Sequence, residues 1–255
     1  MKLQHGNFDK LAQDYSKYRP GYSVSALNSI LSLVEKNEID FVDVGAGTGI
    51  WTRIVASNPK VKSVIAVEPS DQMREQGIAG NGKLNIAWKS GSGENTTLEN
   101  NSCDLLSMAS SFHWVDFEKG IKEFSRVLRP GGRFVALWNP RYLKDNPVLV
   151  EIEEKISQLC PNIKRVSSGS SEFVNKLTDR LNSCEEFEDL VYIEAKHSVN
   201  LTHEQYIGAW RSVNDLQFQM GDKFVDFMNF IEKRIVELPY IKSTYLTRAW
   251  TVRKK

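Results

Sequence analysis

The sequence predicts an α/β fold, a doubly wound, mostly parallel sheet of seven strands with helices on both faces. Three observations predict it. Short apolar segments alternate with helical periodicity over residues 40–138, the pattern of strand–helix units stacked on one parallel sheet. The first apolar segment, Phe41-Val42-Asp43-Val44, runs into Gly45-Ala46-Gly47-Thr48-Gly49, a glycine-rich turn that opens a helix. The second ends in Glu68, which puts a carboxylate at the carboxyl end of a strand, where open α/β sheets bind their ligands.

The elements follow in order. Residues 7–37 read as two helical stretches around Arg19-Pro20-Gly21. Phe8, Leu11, Ala12 and Tyr15 repeat at helical spacing in the first. Leu27, Ile30, Leu31 and Val34 do so in the second, with Ser23 or Ser25 as its cap. Strand one covers residues 40–44 and a helix covers 50–57. Strand two covers 64–67, and a helix follows over 70–76. Gly80-Asn81-Gly82 is a turn, residues 84–88 alternate as strand three, and the polar stretch 90–101 is a loop. Strand four covers 103–108. The helix over 117–128 carries Ile121, Phe124, Val127 and Leu128 on one face. Pro130-Gly131-Gly132 reads as a turn before strand five at 133–138.

Beyond strand five the pattern predicts a helix over 146–159, a Ser/Gly loop at 167–171 and a sixth strand within 187–199. Helices over 202–213 and 218–238 precede a final strand over 245–252. Helices inserted between strand five and the last strand would form a lid over the carboxyl ends of the sheet. The apolar face over 224–238 fits a completed core equally well. The whole chain, 1–255, reads as one domain. Residues 37–140 form its ligand-binding core, and lid or pocket elements lie within 1–36 and 141–240.

Composition narrows the function. Of 255 residues, 41% are hydrophobic and 25% charged, as expected of a packed core. Thirty-three Lys and Arg balance 32 Asp and Glu, which gives no electrostatic pull toward nucleic acid or an anionic membrane. Cys103, Cys160 and Cys184 are odd in number and far apart, which fits reduced thiols and not a disulfide framework. His5, His113, His197 and His203 have no metal-ligand spacing, so no metal is expected. The first residues have no apolar signal core and no run approaches a membrane span. The expected setting is the cytoplasm, as a monomer or homodimer, with neither nucleic acid nor membrane as partner.

The glycine spacing chooses between nucleotide cofactors. A dinucleotide fingerprint is G-x-G-x-x-G. Counted from Gly45 and Gly47, its third glycine would fall on Ile50, so a nicotinamide-dependent dehydrogenase is disfavoured. What stands here is D-x-G-x-G-x-G, Asp43 to Gly49, which resembles the cofactor loop of class I S-adenosylmethionine-dependent methyltransferases, whose fold is Rossmann-like. Glu68, one strand on, is placed to accept hydrogen bonds from both hydroxyls of a ribose. The segment Ser110-Ser111-Phe112-His113-Trp114-Val115-Asp116 follows strand four. Together with the glycine loop it resembles the trans-aconitate-methyltransferase-like group of small-molecule enzymes. Residues 8–22, Glu94-Asn95-Thr96 and Leu128-Arg129-Pro130-Gly131-Gly132 are similar to the same group. The likeness covers most of 7–140 and, more loosely, 206–212 and 245–252.

The resemblance implies roles for individual residues. Gly45, Ala46, Gly47 and Gly49 would approach the methionine and ribose portion of S-adenosyl-L-methionine through backbone, and Asp43 would orient its methionine end. Glu68, with Pro69, would hold the ribose. Ser92, Gly93 and Glu94 would lie at the adenine edge. The commoner pattern has Asp-Ala before that glutamate, so a serine contact there lacks charge assistance. Ser110 and Trp114 would flank the cofactor. Tyr15 and Arg19 would close the N-terminal segment over it, with Arg19 near the carboxylate. His113 would be either a general base or an orienter of the acceptor, or a histidine that shapes its loop. Trp138 and Asn139 at the end of strand five would wall the acceptor pocket, with Trp210 and Arg211 from the inserted helices. Arg211 would pair with an acidic substrate, since a guanidinium matches a carboxylate bidentately.

The implied activity is methyl transfer to a small molecule, with oxygen of a carboxylate or hydroxyl as the favoured acceptor. Attack would be direct and in line. N- or C-methylation and a non-catalytic binding protein remain alternatives. Methylation of nucleic-acid amino groups is disfavoured. Such enzymes usually carry an Asn/Asp-Pro-Pro-aromatic motif where this chain has Ser-Phe-His-Trp.

Overall fold

A computed structural model describes residues 18–163 and 171–255, with backbone alone at 214 and 215. The helical spacing of Phe8 to Tyr15 and most of the 167–171 loop lie outside the described residues. Ser23 caps α1 (Val24–Ser32) by accepting the Ala26 N–H. There follow β1 (Ile39–Val44), α2 (Ile50–Ala56), β2 (Val61–Val67), α3 (Asp71–Ala79), β3 (Ala87–Lys89), β4 (Cys103–Ala109), α4 (Phe117–Val127) and β5 (Leu128–Trp138). Of the boundaries that differ from the sequence pattern, two have a clear local cause. Strand three shrinks to three residues because Leu84 closes a turn onto the Asn81 carbonyl instead of entering a ladder. The expected turn at 130–132 is absorbed as a bulge in β5. Cys103 pairs with Leu128 and Leu105 already with Arg133, while Gly131 takes φ +78°.

The second half contains α5 (Pro147–Leu159), α6 (Glu172–Asn175), α7 (Leu177–Asn182), β6 (Phe187–Leu201), α8 (His203–Arg211), α9 (Asn214–Met220), α10 (Lys223–Ile235) and β7 (Ile241–Lys254). The single helix expected over 218–238 is two. Gly221, at φ +54°, ends α9 and re-aims the chain into α10. The short α6 and α7 were not foreseen. At four and six residues they are too brief to show a helical period.

Seven strands form one sheet in the order β3-β2-β1-β4-β5-β7-β6. The first five run parallel, and β7 lies antiparallel between β5 and β6. Alternate residues supply its two faces. Phe41, Leu105, Val135 and Leu137 pack under Leu27, Ile30 and Trp51. Val42, Leu106, Met108, Phe134 and Ala136 pack under Ile121, Phe124, Leu177 and Leu181. A third core is separate. It joins Leu149 and Ile152 of α5, Tyr206 and Trp210 of α8, Leu216 of α9, and Phe227 and Ile231 of α10.

The β6–β7 hairpin fixes where that helical layer stands. Pairing of β5 with β7 ends at Trp138–Arg248, but β6 and β7 stay paired as far as Leu201–Ile241. The ribbon therefore runs on by roughly 20 Å past the carboxyl end of β5. The inserted helices carry their own core, which takes in Leu201 and Ile241 where the ribbon runs past the end of β5.

Candidate active site

The carboxyl ends of β1 and β2 meet in one hydrogen-bonded unit. Gly45 and Ala46 N–H both donate to the Val67 carbonyl, at 2.8 and 3.1 Å. The buried Glu68 carboxylate accepts the Gly47 N–H at 2.7 Å and the Ser70 N–H at 3.0 Å. Gly45 and Gly47 need to be glycine for different reasons. Gly45, at φ +65°, would set a Cβ 2.7 Å from the Ser111 hydroxyl, so loop and β4 turn are in contact. Gly47, at φ +57°, faces open space, with no atom within 4 Å of a Cβ built there. Bare peptide beside an opening is where a ligand lies against backbone.

Asp43 lies wholly inside, one residue before the end of β1. Thr52 Oγ1 donates to one carboxylate oxygen at 2.6 Å and Ser107 Oγ to the other at 2.8 Å. Trp51 Nε1 donates in turn to Ser107 Oγ at 3.0 Å. Burial pushes the Asp43 carboxyl up to about 7. The side chain is thus committed to tying β1, α2 and β4 together under the glycine loop. Thr48 Oγ1, within the loop, is buried without a hydrogen-bond partner.

The loop after β4 forms the facing wall. Ser110 takes φ +56°, donates its N–H to Leu137 at 2.7 Å and meets the Tyr22 hydroxyl at 3.0 Å. His113 lies in a short turn, with ring centroids 4.7 Å from Trp114 and 6.3 Å from Trp138. Both imidazole nitrogens are buried without a hydrogen-bond partner, and burial lowers the pKa to about 4. The 92–94 turn docks on the same loop. Glu94 accepts the Asp116 N–H at 2.9 Å, and a Cβ at Gly93 would strike Val115. The Ser92 hydroxyl accepts the Glu94 N–H at 3.3 Å. Pro69 is exposed. Asp43, Gly45 to Gly47, Glu68, residues 92–94 and residues 110–114 are therefore gathered along one edge.

Other expected positions fall elsewhere. Tyr15 lies outside the described residues. Arg19 donates to Ser212 Oγ at 2.8 Å and to the Ser212 carbonyl at 3.2 Å, and the Tyr18 hydroxyl donates to Glu204 at 2.7 Å. The N-terminal segment is thereby fastened to α8. The Asn139 amide is used internally. It donates to the Gly21 carbonyl and accepts from Thr247, both at 2.9 Å. Trp138 packs in the sheet core and Trp210 in the helical core. Arg211, expected to pair with an acidic substrate, stands at the surface. Its side chain is 55% exposed, 3.6 Å from Glu232, and lines a cleft of ≈ 210 Å³ that also contains Glu204. Two carboxylates beside it would repel an acidic substrate. Arg141, by contrast, is turned inward over the Trp210 ring, 3.6 Å from Glu153.

A glycine turn with a strand-end carboxylate on a doubly wound sheet makes a cradle of the kind that holds an adenosine-containing cofactor. Comparison with known proteins agrees. Residues 42–136 match the family described as a methyltransferase domain. An uncharacterised methyltransferase of Schizosaccharomyces pombe is 30% identical over 226 residues, 87% of this chain and 85% of that protein. A methyltransferase-like protein of the same yeast is 36% identical over 131 residues, but the match spans only 50% of this chain and 49% of the relative. A solved chain from Anaeromyxobacter dehalogenans, assigned as a type II methyltransferase, superposes with a TM-score of 0.68 over 92% of this chain and 98% of its own. At 18% identity that likeness speaks for the fold alone. The protein belongs to the class I S-adenosylmethionine-dependent methyltransferases.

The residues present fit that cofactor. Gly47 leaves room against bare backbone, Thr48 offers an unpartnered hydroxyl, and Glu68 sets a carboxylate where β2 ends. No helix among the described residues is long and apolar enough to cross a membrane.

Proposed function

We propose that this protein methylates an oxygen of a small molecule, a carboxylate in the first instance, by direct in-line transfer. S-adenosylmethionine, when bound, supplies a methyl group on a positively charged sulfur already activated for attack. The glycine loop and Glu68 hold it, and the 92–94 turn and Trp114 flank it. What remains for the protein is alignment and exclusion of water.

The observation that carries the carboxylate reading is the setting of His113, packed against Trp114 and near Trp138. Among the described residues neither ring nitrogen has a carboxylate or other partner to orient it as a base. A general base works best with a pKa near the working pH. An imidazole lowered to about 4 by burial is neutral at pH 7 and a weak base. It retains one N–H and one lone pair, enough to orient an oxygen that has no proton to lose. A free carboxylic acid, titrating near 4, is such an acceptor. The separate helical layer and the near-zero net charge support a small acceptor in preference to a nucleic acid.

His113→Ala tests this with any acid that accepts label from S-adenosylmethionine. Turnover is expected to fall modestly, with no new pH dependence above about pH 6. A loss of a hundredfold or more, with a basic limb removed from the pH–rate profile, would instead assign a base and a hydroxyl acceptor.

The Tyr18 and Arg19 bonds to α8 lead to a second expectation. A cofactor covered by this segment needs a way in. Backbone amide exchange at residues 19–23 is expected to slow when S-adenosylhomocysteine is added. Equal exchange in both states would make the segment fixed framework.

A further inference from the structure

The sheet ends on one side in β3, three residues long, and on the other in β6, fifteen residues long. An edge strand presents a row of unpaired N–H and carbonyl groups. Natural proteins blunt such edges by keeping them short, bulged, covered or interrupted by Pro. The β3 edge is short. In β6 the bulge falls before Val191, and from Val191 to Leu201 the strand pairs with β7 in unbroken register. That stretch contains neither Pro nor Gly. Among the described residues, no backbone group from Val191 to Asn200 bonds to anything but β7.

We propose that the outward edge of β6 docks a second copy of this chain, joined antiparallel about a two-fold axis at Ala195 into one continuous sheet. The proposal goes beyond the enzymatic reading and does not depend on it. Charge selects both the partner and the register. In a two-fold antiparallel pair, each residue stands opposite the one equally far on the other side of the axis. An axis at Ala195 sets Glu194 against the partner's Lys196, and Lys196 against the partner's Glu194. Both side chains are exposed. Opposite charges directly across a ladder stabilise it, and like charges destabilise it. Moving the axis one residue either way would set glutamate against glutamate or lysine against lysine. The same axis pairs Val191 with Val199, Ile193 with His197 and Ala195 with itself on the other face, where all five positions are half-buried. Glu194 and Lys196 also have contacts within their own copy. Glu194 accepts the Tyr192 hydroxyl at 2.6 Å and stands 3.7 Å from Arg248, and Lys196 lies 3.6 Å over the Tyr142 ring. A carboxylate and an ammonium each bond several groups at once, so room for a partner remains. The helix beside this strand agrees. α1 lies against β6 and β7, and its exposed residues, Val24, Ser25, Asn28, Ser29 and Ser32, are all uncharged. Depletion of charge is what marks the core of an interface.

The competing role for Glu194 and Lys196 is to keep a bare edge from pairing at all. Sedimentation velocity on the full chain separates the two. A monomer–dimer equilibrium is expected at concentrations up to about 100 μM. Glu194→Lys and Lys196→Glu each set like charges opposite one another twice, and each should raise the dissociation constant at least about tenfold. The double variant Glu194→Lys/Lys196→Glu reverses both pairs and should return to within about threefold of the natural chain. Cross-linking reads the register. Ala195→Cys sets two thiols across the axis with Cα atoms about 4.5–5.5 Å apart, within disulfide reach, and mild oxidation should give a covalent dimer. Ser198→Cys should not, because its two copies would stand roughly 20 Å apart. Cys103, Cys160 and Cys184 are present in both variants and cancel in the comparison. If the charge variants do not fold, the cysteine variants decide. A chain that sediments singly at every concentration overturns the proposal, whether its β6 amides exchange freely or are shielded by another segment of the chain. So does a dimer in which Ala195→Cys cross-links no faster than Ser198→Cys, since that dimer uses another face.

Discussion

Glu68→Ala is expected to weaken S-adenosylmethionine binding on the order of a hundredfold, with the fold retained. Two effects combine. A carboxylate that accepts two ribose hydroxyls makes charge-assisted bonds worth roughly 1.5–3 kcal/mol each, and about 3 kcal/mol corresponds to roughly 150-fold in affinity. The same carboxylate also holds the Gly47 N–H at 2.7 Å and the Ser70 N–H at 3.0 Å, so its loss loosens the cradle itself. Glu68→Gln keeps an acceptor for Gly47 and should fall between the two. Calorimetric titration with S-adenosylmethionine reads the effect, and far-ultraviolet circular dichroism checks the fold. Unchanged affinity in Glu68→Ala would remove Glu68 from the cofactor site.

The second large effect concerns stability, and it reverses an ordinary pH trend. Asp43→Ala would leave the Thr52 and Ser107 hydroxyls buried without acceptors, at roughly 1–3 kcal/mol each. A loss of about 2–6 kcal/mol follows, read by denaturant unfolding. Asp43→Asn is milder and exposes the titration. Burial raises the Asp43 carboxyl to about 7, so the folded state keeps a proton that the unfolded chain releases from about pH 4 upward. Its stabilising contribution is therefore complete below pH 4 and is lost as the pH rises toward 7. His113 acts in the opposite sense. Its pKa is lowered to about 4, so stability is lost as the pH falls from about 6.5 toward 4. Both variants of position 43 keep His113, so it cancels in the difference between wild type and Asp43→Asn. That difference should shrink by on the order of 3 kcal/mol between pH 4 and 7. A difference independent of pH would mean that Asp43 is ionised throughout.

The cofactor half of this protein was legible in the sequence because its determinants are local. A strand that must turn sharply against a ligand writes glycines at Gly45, Gly47 and Gly49. A strand end that must present a carboxylate writes Glu68 at the end of an apolar run. Strand–helix alternation then leaves little choice of sheet, and a mostly parallel sheet of seven strands is what forms. Elements too short for a period were not legible, as with α6, α7 and the three residues of β3. Gly221 was visible, but whether it would interrupt the long helix depended on how α9 and α10 pack.

The helical half was decided by tertiary structure. Arg141 and Arg211 look alike in sequence, each beside aromatic or apolar residues. The β6–β7 ribbon and the packing of α8 on α10 turn one inward onto Trp210 and the other outward onto Glu232. Asp43 and His113 could be singled out in the sequence, but their proton affinities could not. A pKa is set by how much water and which dipoles surround a group, and those arrive from Thr52, Ser107, Trp114 and Trp138 on separate elements. The sequence determined the cofactor loop because one short segment contains all its steric demands. Burial, charge pairing and the facing of side chains in the helical layer are sums over distant segments, and only the folded chain fixes them.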